Sequence, residues 1–224
     1  MKPLKSLTML VFSGLMFGAC GDDDDLCLRG SGQVNEYPIE VASFSRVELR
    51  GPVNLMITQG PVQEVIVTAE PELFGPLDYE VRDGQLEIGY FNKNISCFDT
   101  DEGVWVNITV PNLTEIESEG LSIIRNTGML SLPYLEMVMA GETHYELNGM
   151  IDYQEIYAEG LTDIRNFGVE SSEVELVLTG SAEVEVTCYD ELDITVEGSA
   201  DVRYKGNPQI TQSVDGSLNL VNAN

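Results

Sequence analysis

Gly120, Gly141, Gly160, Gly180, Gly198 and Gly216 recur every 18 to 21 residues. A period of that length constrains how a chain packs on itself before any single element is assigned. Two positions before these glycines stand Ser118, Met139, Ala158, Leu178, Val196 and Val214, and four positions after them Ile124, Tyr145, Ile164, Val184, Val202 and Leu220. Both columns are almost entirely apolar. A second glycine follows most of them eight positions later, at Gly128, Gly149, Gly168 and Gly206. Between these corners the chain alternates polar and apolar residues, as in EVELVLTG and AEVEVTC, so each repeat supplies short strands.

Such a pattern suits either an antiparallel meander or a solenoid of parallel turns. The column five positions after the glycine separates them. It reads Arg125, Glu146, Arg165, Glu185, Arg203. In a parallel stack equivalent residues lie roughly 4.8 Å apart, which makes this column an alternating ion-pair ladder; a meander gives these residues no reason to meet. The expectation is therefore an all-β chain wound as a single-stranded parallel β-helix, a solenoid with coils of roughly 20 residues. Such a stack has open ends, and association with a second copy, end-on or by a side, would cover them. Three positions after the glycines, Ile123, His144, Asp163, Glu183, Asp201 and Asn219 form an outward column in which Asp163, Glu183 and Asp201 have no cation between them. Tyr134 and Tyr153 share the position seven before the glycine in adjacent repeats, so their rings either stack into a platform suited to a glycan or a protein side chain or brace a corner of the coil.

Charge narrows the partners. With 11 Lys+Arg against 38 Asp+Glu the formal charge is -27, a field that repels nucleic acid. Hydrophobic residues still make up 43% of the chain and alternate with the acids, which marks an ordered domain and not an acidic tail.

The first residues, MKPLKSLTMLVFSGLMFGAC, carry two lysines, a short apolar run and then Gly18-Ala19-Cys20. This reads as a secretion signal over residues 1–19, too short for a permanent span. Small residues before a cysteine resemble the lipobox of bacterial lipoproteins, which makes Cys20 the expected lipidation site and the membrane a partner through that lipid. Asp22, Asp23, Asp24 and Asp25 follow, in a segment expected to be a solvated tether over residues 20–33. Directly behind a lipidated cysteine they resemble an acidic export signal, which implies the outer membrane and its cell-surface face; a plain spacer on the periplasmic face is the alternative. The folded domain is expected over residues 34–224. Cys27, Cys97 and Cys188 remain, so at most one intramolecular bridge can form. Cys27 with Cys97 is the favoured pair, because Cys188 falls in phase with core residues, and the sequence leaves open whether the bond exists.

Residues 44–116 are strand-like but lack the regular glycine period, with a turn at Asp83-Gly84. Here the chain resembles the putative auto-transporter adhesin, head GIN domain family. The resemblance lies in residues 44–51, ITQG at 57–60, VRDGQLEI at 81–88, ITVPNL at 108–113, and the glycine motifs through ADVRYKGNP at 200–208. It implies a right-handed hand for the β-helix and an envelope lipoprotein, and little about activity; the role expected of the chain is non-enzymatic adhesion or envelope interaction.

Enzymes built on β-helices cluster carboxylates in a groove, whereas the acids here are spread along strand faces. The chain has one histidine, His144, on an outward column, which leaves no Ser-His-Asp or Cys-His arrangement. No catalytic residue, metal site or cofactor is therefore expected. A carbohydrate-active β-helix enzyme and a periplasmic structural or accessory lipoprotein are the alternative readings.

Overall fold

The computed structural model describes residues 26–91 and 95–224. Its strands are β1 (Leu26–Arg29), β2 (Asn35–Pro38), β3 (Arg46–Arg50), β4 (Val53–Gln59), β5 (Glu64–Ala69), β6 (Asp78–Arg82), β7 (Gln85–Gly89), β8 (Ile95–Asp99), β9 (Val104–Val110), β10 (Glu115–Thr127), β11 (Leu130–Glu146), β12 (Asn148–Lys205) and β13 (Gln209–Asn222). One short helical turn, α1 (Pro71–Phe74), interrupts them. Among the described residues no helix is long and apolar enough to cross a membrane.

Alternation builds the strands. In β4 and β9 every second side chain, from Val53, Leu55 and Ile57 and from Val104, Val106, Ile108 and Val110, is buried in one core, while Asn54, Trp105 and Asn107 point the other way. β1 and β8 form a separate two-stranded parallel sheet, joined by a disulfide between Cys27 and Cys97. The other strands make one sheet of eleven, in which β13, β12, β11, β10, β4, β9, β5 and β2 follow one another.

That sheet is mixed, which corrects the expected architecture. β2 pairs with β5, β5 with β9 and β6 with β7, all antiparallel, so the molecule is not a single-stranded right-handed parallel β-helix and not a solenoid of roughly 20-residue coils. The cause lies in residues 44–116, where the glycine period is absent and tight turns reverse the chain. At Asp83-Gly84 both residues have positive φ, 51° and 79°, the geometry of a two-residue hairpin turn, and β6 and β7 close on it antiparallel.

From β10 onward the pairings between successive strands are parallel and keep the glycines aligned: Gly120 lies opposite Gly141, Gly141 opposite Gly160, and Gly198 opposite Gly216. β12 has 58 residues, and it bends back at glycine corners. At Gly160 φ is +103°, and a Cβ there would lie 2.5 Å from the carbonyl oxygen of Gly141. The backbones touch where a side chain would stand, which is why the period is written in glycine.

Candidate functional site

The residues of the expected ladder meet in part. Arg125 Nε lies 3.3 Å from Glu146, and Glu185 receives Arg203 at 2.7 Å and Arg165 at 3.5 Å. Arg165 also reaches sideways to Asp163 at 2.6 Å and Glu183 at 3.0 Å. It thus supplies, from the neighbouring column, a cation between Asp163 and Glu183. His144 Nδ1 stands 3.0 Å from Asp163 and Asn219 donates to Asp201 at 2.7 Å, so this column is a hydrogen-bonded surface. Its side chains brace one another, and among the described residues no cluster suited to a metal ion occurs.

Tyr134 and Tyr153 are register partners, with ring centroids 5.6 Å apart but planes inclined by 55°. The rings do not lie flat as one platform. Both hydroxyls donate to Glu155 at 2.6 Å, and each hydroxyl oxygen lies 3.2 Å from a second carboxylate, of Glu136 and Glu175 respectively. Burial, followed by the bond to Glu155, raises the Tyr134 phenol; for Tyr153 that bond is the larger cause. These phenols hold a row of carboxylates together. Cys20, Asp22, Asp23, Asp24 and Asp25 lie outside the described residues.

A different surface offers a binding shape. A groove of about 780 Å³ runs between β4, β8, β9 and β10, with Phe98, Trp105, Leu121 and Ile123 along it and Asp101 and Glu102 at its rim. Trp105 is the one tryptophan of the chain. It points outward because its β9 neighbours Val104 and Val106 point in, and it lies in register with Asn54 of β4. Asn54 in turn accepts the Ile123 N–H at 2.9 Å, which fastens the β10 wall to the β4 wall. Leu121 is 52% exposed beside them, an apolar side chain left in water.

The far wall is held by side chains that leave little freedom. The Cys27–Cys97 bond ties β8 to β1, and Phe98 packs against Tyr90 with centroids 4.8 Å apart. The loop at residues 100–103 is closed by Thr100, whose hydroxyl oxygen accepts the N–H groups of Glu102 (3.3 Å) and Gly103 (3.1 Å) and whose proton goes to Glu70. Glu70, 1% exposed, also accepts the Gly32 N–H at 2.5 Å, so one buried carboxylate fastens two loops beside the groove.

A family model described as putative auto-transporter adhesin, head GIN domain matches residues 43–208. The chain belongs to this family. The matched span contains β3 to β12 and with them Trp105, Leu121 and Ile123. Among solved structures, this head GIN chain is similar to a putative adhesin from Bacteroides fragilis, with 16% identity over 88% of this chain and 97% of that one and a TM-score of 0.63. It is also similar to a putative lipid binding protein from Parabacteroides distasonis, with 18% identity over 88% and 100% of the two chains and a TM-score of 0.54. At these identities the likeness is one of fold. No curated protein matches the chain.

The groove was not singled out from the sequence. One signal for it existed, a tryptophan on the outward phase of VWVNITV. The β4 wall lies far along the chain from the consecutive strands β8, β9 and β10, and no local pattern announces that it meets them.

Proposed function

We propose that this head GIN protein is a non-enzymatic adhesion protein of the bacterial envelope that holds its partner in the Trp105 groove. Lipid on Cys20 tethers it to the outer membrane, and Asp22, Asp23, Asp24 and Asp25 direct it to the cell surface. The groove carries the reading: an open, mainly apolar trough floored by an aromatic ring, of a size that takes one or two side chains of a partner protein. Asp101 and Glu102 at the rim favour a partner with a basic residue beside its apolar anchor. Family membership supports an adhesive role, and the carboxylates of the outward column are already engaged by Arg165, His144 and Asn219, which leaves them poorly placed for hydrolysis.

The test uses cells that display the protein. Trp105→Ala and Leu121→Asp change outward side chains, so folding should persist while adherence to protein-coated surfaces falls by about tenfold. Protease added to whole cells should digest the wild-type protein and spare a variant with alanine at positions 22–25. Unchanged adherence of the groove variants overturns the assignment of the site. Protection of the wild-type protein in intact cells replaces surface display by the periplasmic reading. Release of reducing sugar from a glycan by the purified protein replaces the adhesin by an enzyme.

A further inference from the structure

A strand at a sheet edge offers unpaired N–H and C=O groups, and proteins blunt such edges with shortness, charge or proline. Two outer strands of this sheet follow that rule. β2 has four residues, among them Glu36 and Pro38, and β6 has five, among them Asp78, Glu80 and Arg82. β13 does not. It is 14 residues long, closes one end of the sheet, and contains no lysine, arginine or proline. Asp215 is its single charged residue, whereas residues 191–204, with which it pairs, carry Glu191, Asp193, Glu197, Asp201 and Arg203. In a chain of net charge -27, charge thins out where an open ladder is presented.

The apolar pattern points the same way. Leu192, Val196, Ala200 and Val202 of β12 are at most 3% exposed, and their register partners on β13 are Ile210, Val214, Leu218 and Leu220. These four occupy core positions without the covering that their partners have: Ile210 is 37% and Val214 43% exposed, and Leu218 and Leu220 are only partly buried. Removing them from water would be favourable in proportion to the apolar area covered.

We propose that β13 is a homotypic contact through which two copies of this chain join edge to edge, antiparallel about a twofold axis, so that one sheet continues into the other. A twofold contact presents one patch to itself, which a strand rich in Gln, Ser, Thr and Asn satisfies, since each side chain both donates and accepts. The charge pattern selects the partner. A basic partner would be drawn to the acids that β13 lacks, whereas two strongly acidic bodies can approach only where charge is sparse. Asp215 lies next to the midpoint of the strand, where a twofold axis brings it close to its own mate, so this residue opposes the contact and the contact strengthens as salt screens it.

Sedimentation equilibrium tests this on the purified chain carrying Cys20→Ser, in which no attached lipid can cause association. At about 100 µM the chain should be a dimer whose dissociation constant falls as salt is raised from about 0.05 to about 0.5 M. Asp215→Asn should tighten the dimer several-fold. Val214→Lys and Val221→Lys should each weaken it at least tenfold, and Val62→Lys, on a side chain 72% exposed away from this edge, should leave it unchanged. Circular dichroism on each variant separates lost association from lost fold. A chain that stays monomeric throughout, a dimer equally sensitive to Val62→Lys, or open-ended polymers in place of a dimer would each overturn the proposal.

Discussion

Glu117 shows how single residues carry this molecule's acidity. It sits in register with Glu48, which is itself in register with Glu87, so three carboxylates occupy adjacent parallel strands. Partial burial, then repulsion from Glu48 and Glu115, raises its pKa, while the bond from Gln85 and the charge of Arg50 oppose the rise. A carboxyl group with a raised folded-state pKa binds its proton more tightly in the native than in the unfolded chain. Its ionisation therefore costs stability above the raised value, and that cost is relieved as pH falls through it toward the ordinary value near 4.5. Glu117→Gln should accordingly raise the melting temperature at pH 7, with the gain over wild type shrinking as the pH approaches 4.5; an equal gain at every pH would show that ionisation is not the cause. The apolar phase of Cys188 was legible in the sequence: the thiol is fully buried, donates to the Glu191 carbonyl at 2.9 Å, and is pushed up to about 11, mainly by burial. The reach of Arg165 was less so, because a long guanidinium serves Asp163 in its own repeat as well as Glu183 and Glu185 in the next.

At the scale of the element, two glycines of equal appearance have different roles. Gly84 at the hairpin turn has φ +79° with open space where a Cβ would stand, whereas Gly160 has φ +103° with the Gly141 carbonyl in that space. Gly84→Ala should cost only the left-handed backbone penalty, about 1 kcal/mol, and Gly160→Ala that penalty plus displacement of a backbone, about 2 to 4 kcal/mol. Urea denaturation of both variants measures the difference, and equal losses would show that the contact between successive glycines yields easily. The alignment of Gly120, Gly141 and Gly160 could be read from spacing because close backbone contact demands one residue type. The antiparallel strands could not. β5 enters the sheet beside β9, about forty residues further along, and a turn at residues 60–63 says that the chain reverses without saying against which strand it will lie. The same holds for the groove, whose walls come from β4, β8, β9 and β10.

For the whole molecule, the longest-range covalent constraint is the bond between Cys27 and Cys97, which closes a separation of 70 residues. Limiting the unfolded chain in this way contributes about 2 to 4 kcal/mol. Cys27→Ser with Cys97→Ser should lower stability by that amount in thermal unfolding, and Trp105, near β8, should report a change in emission before the main transition as that wall of the groove loosens. A single cooperative loss at unchanged temperature would argue that their ladder, with Glu70 and Thr100, holds β1 and β8 without the bond. The position of the bond has a mechanical meaning as well. Cys27 lies seven residues beyond Cys20, so in a chain anchored at Cys20 any tension between cell and captured object enters the fold at β1. Four residues of ladder would peel under such a load. The sulfur bridge instead passes the pull directly to β8 and so to the edge of the groove, placing the strongest link of the molecule between the rope and the hand.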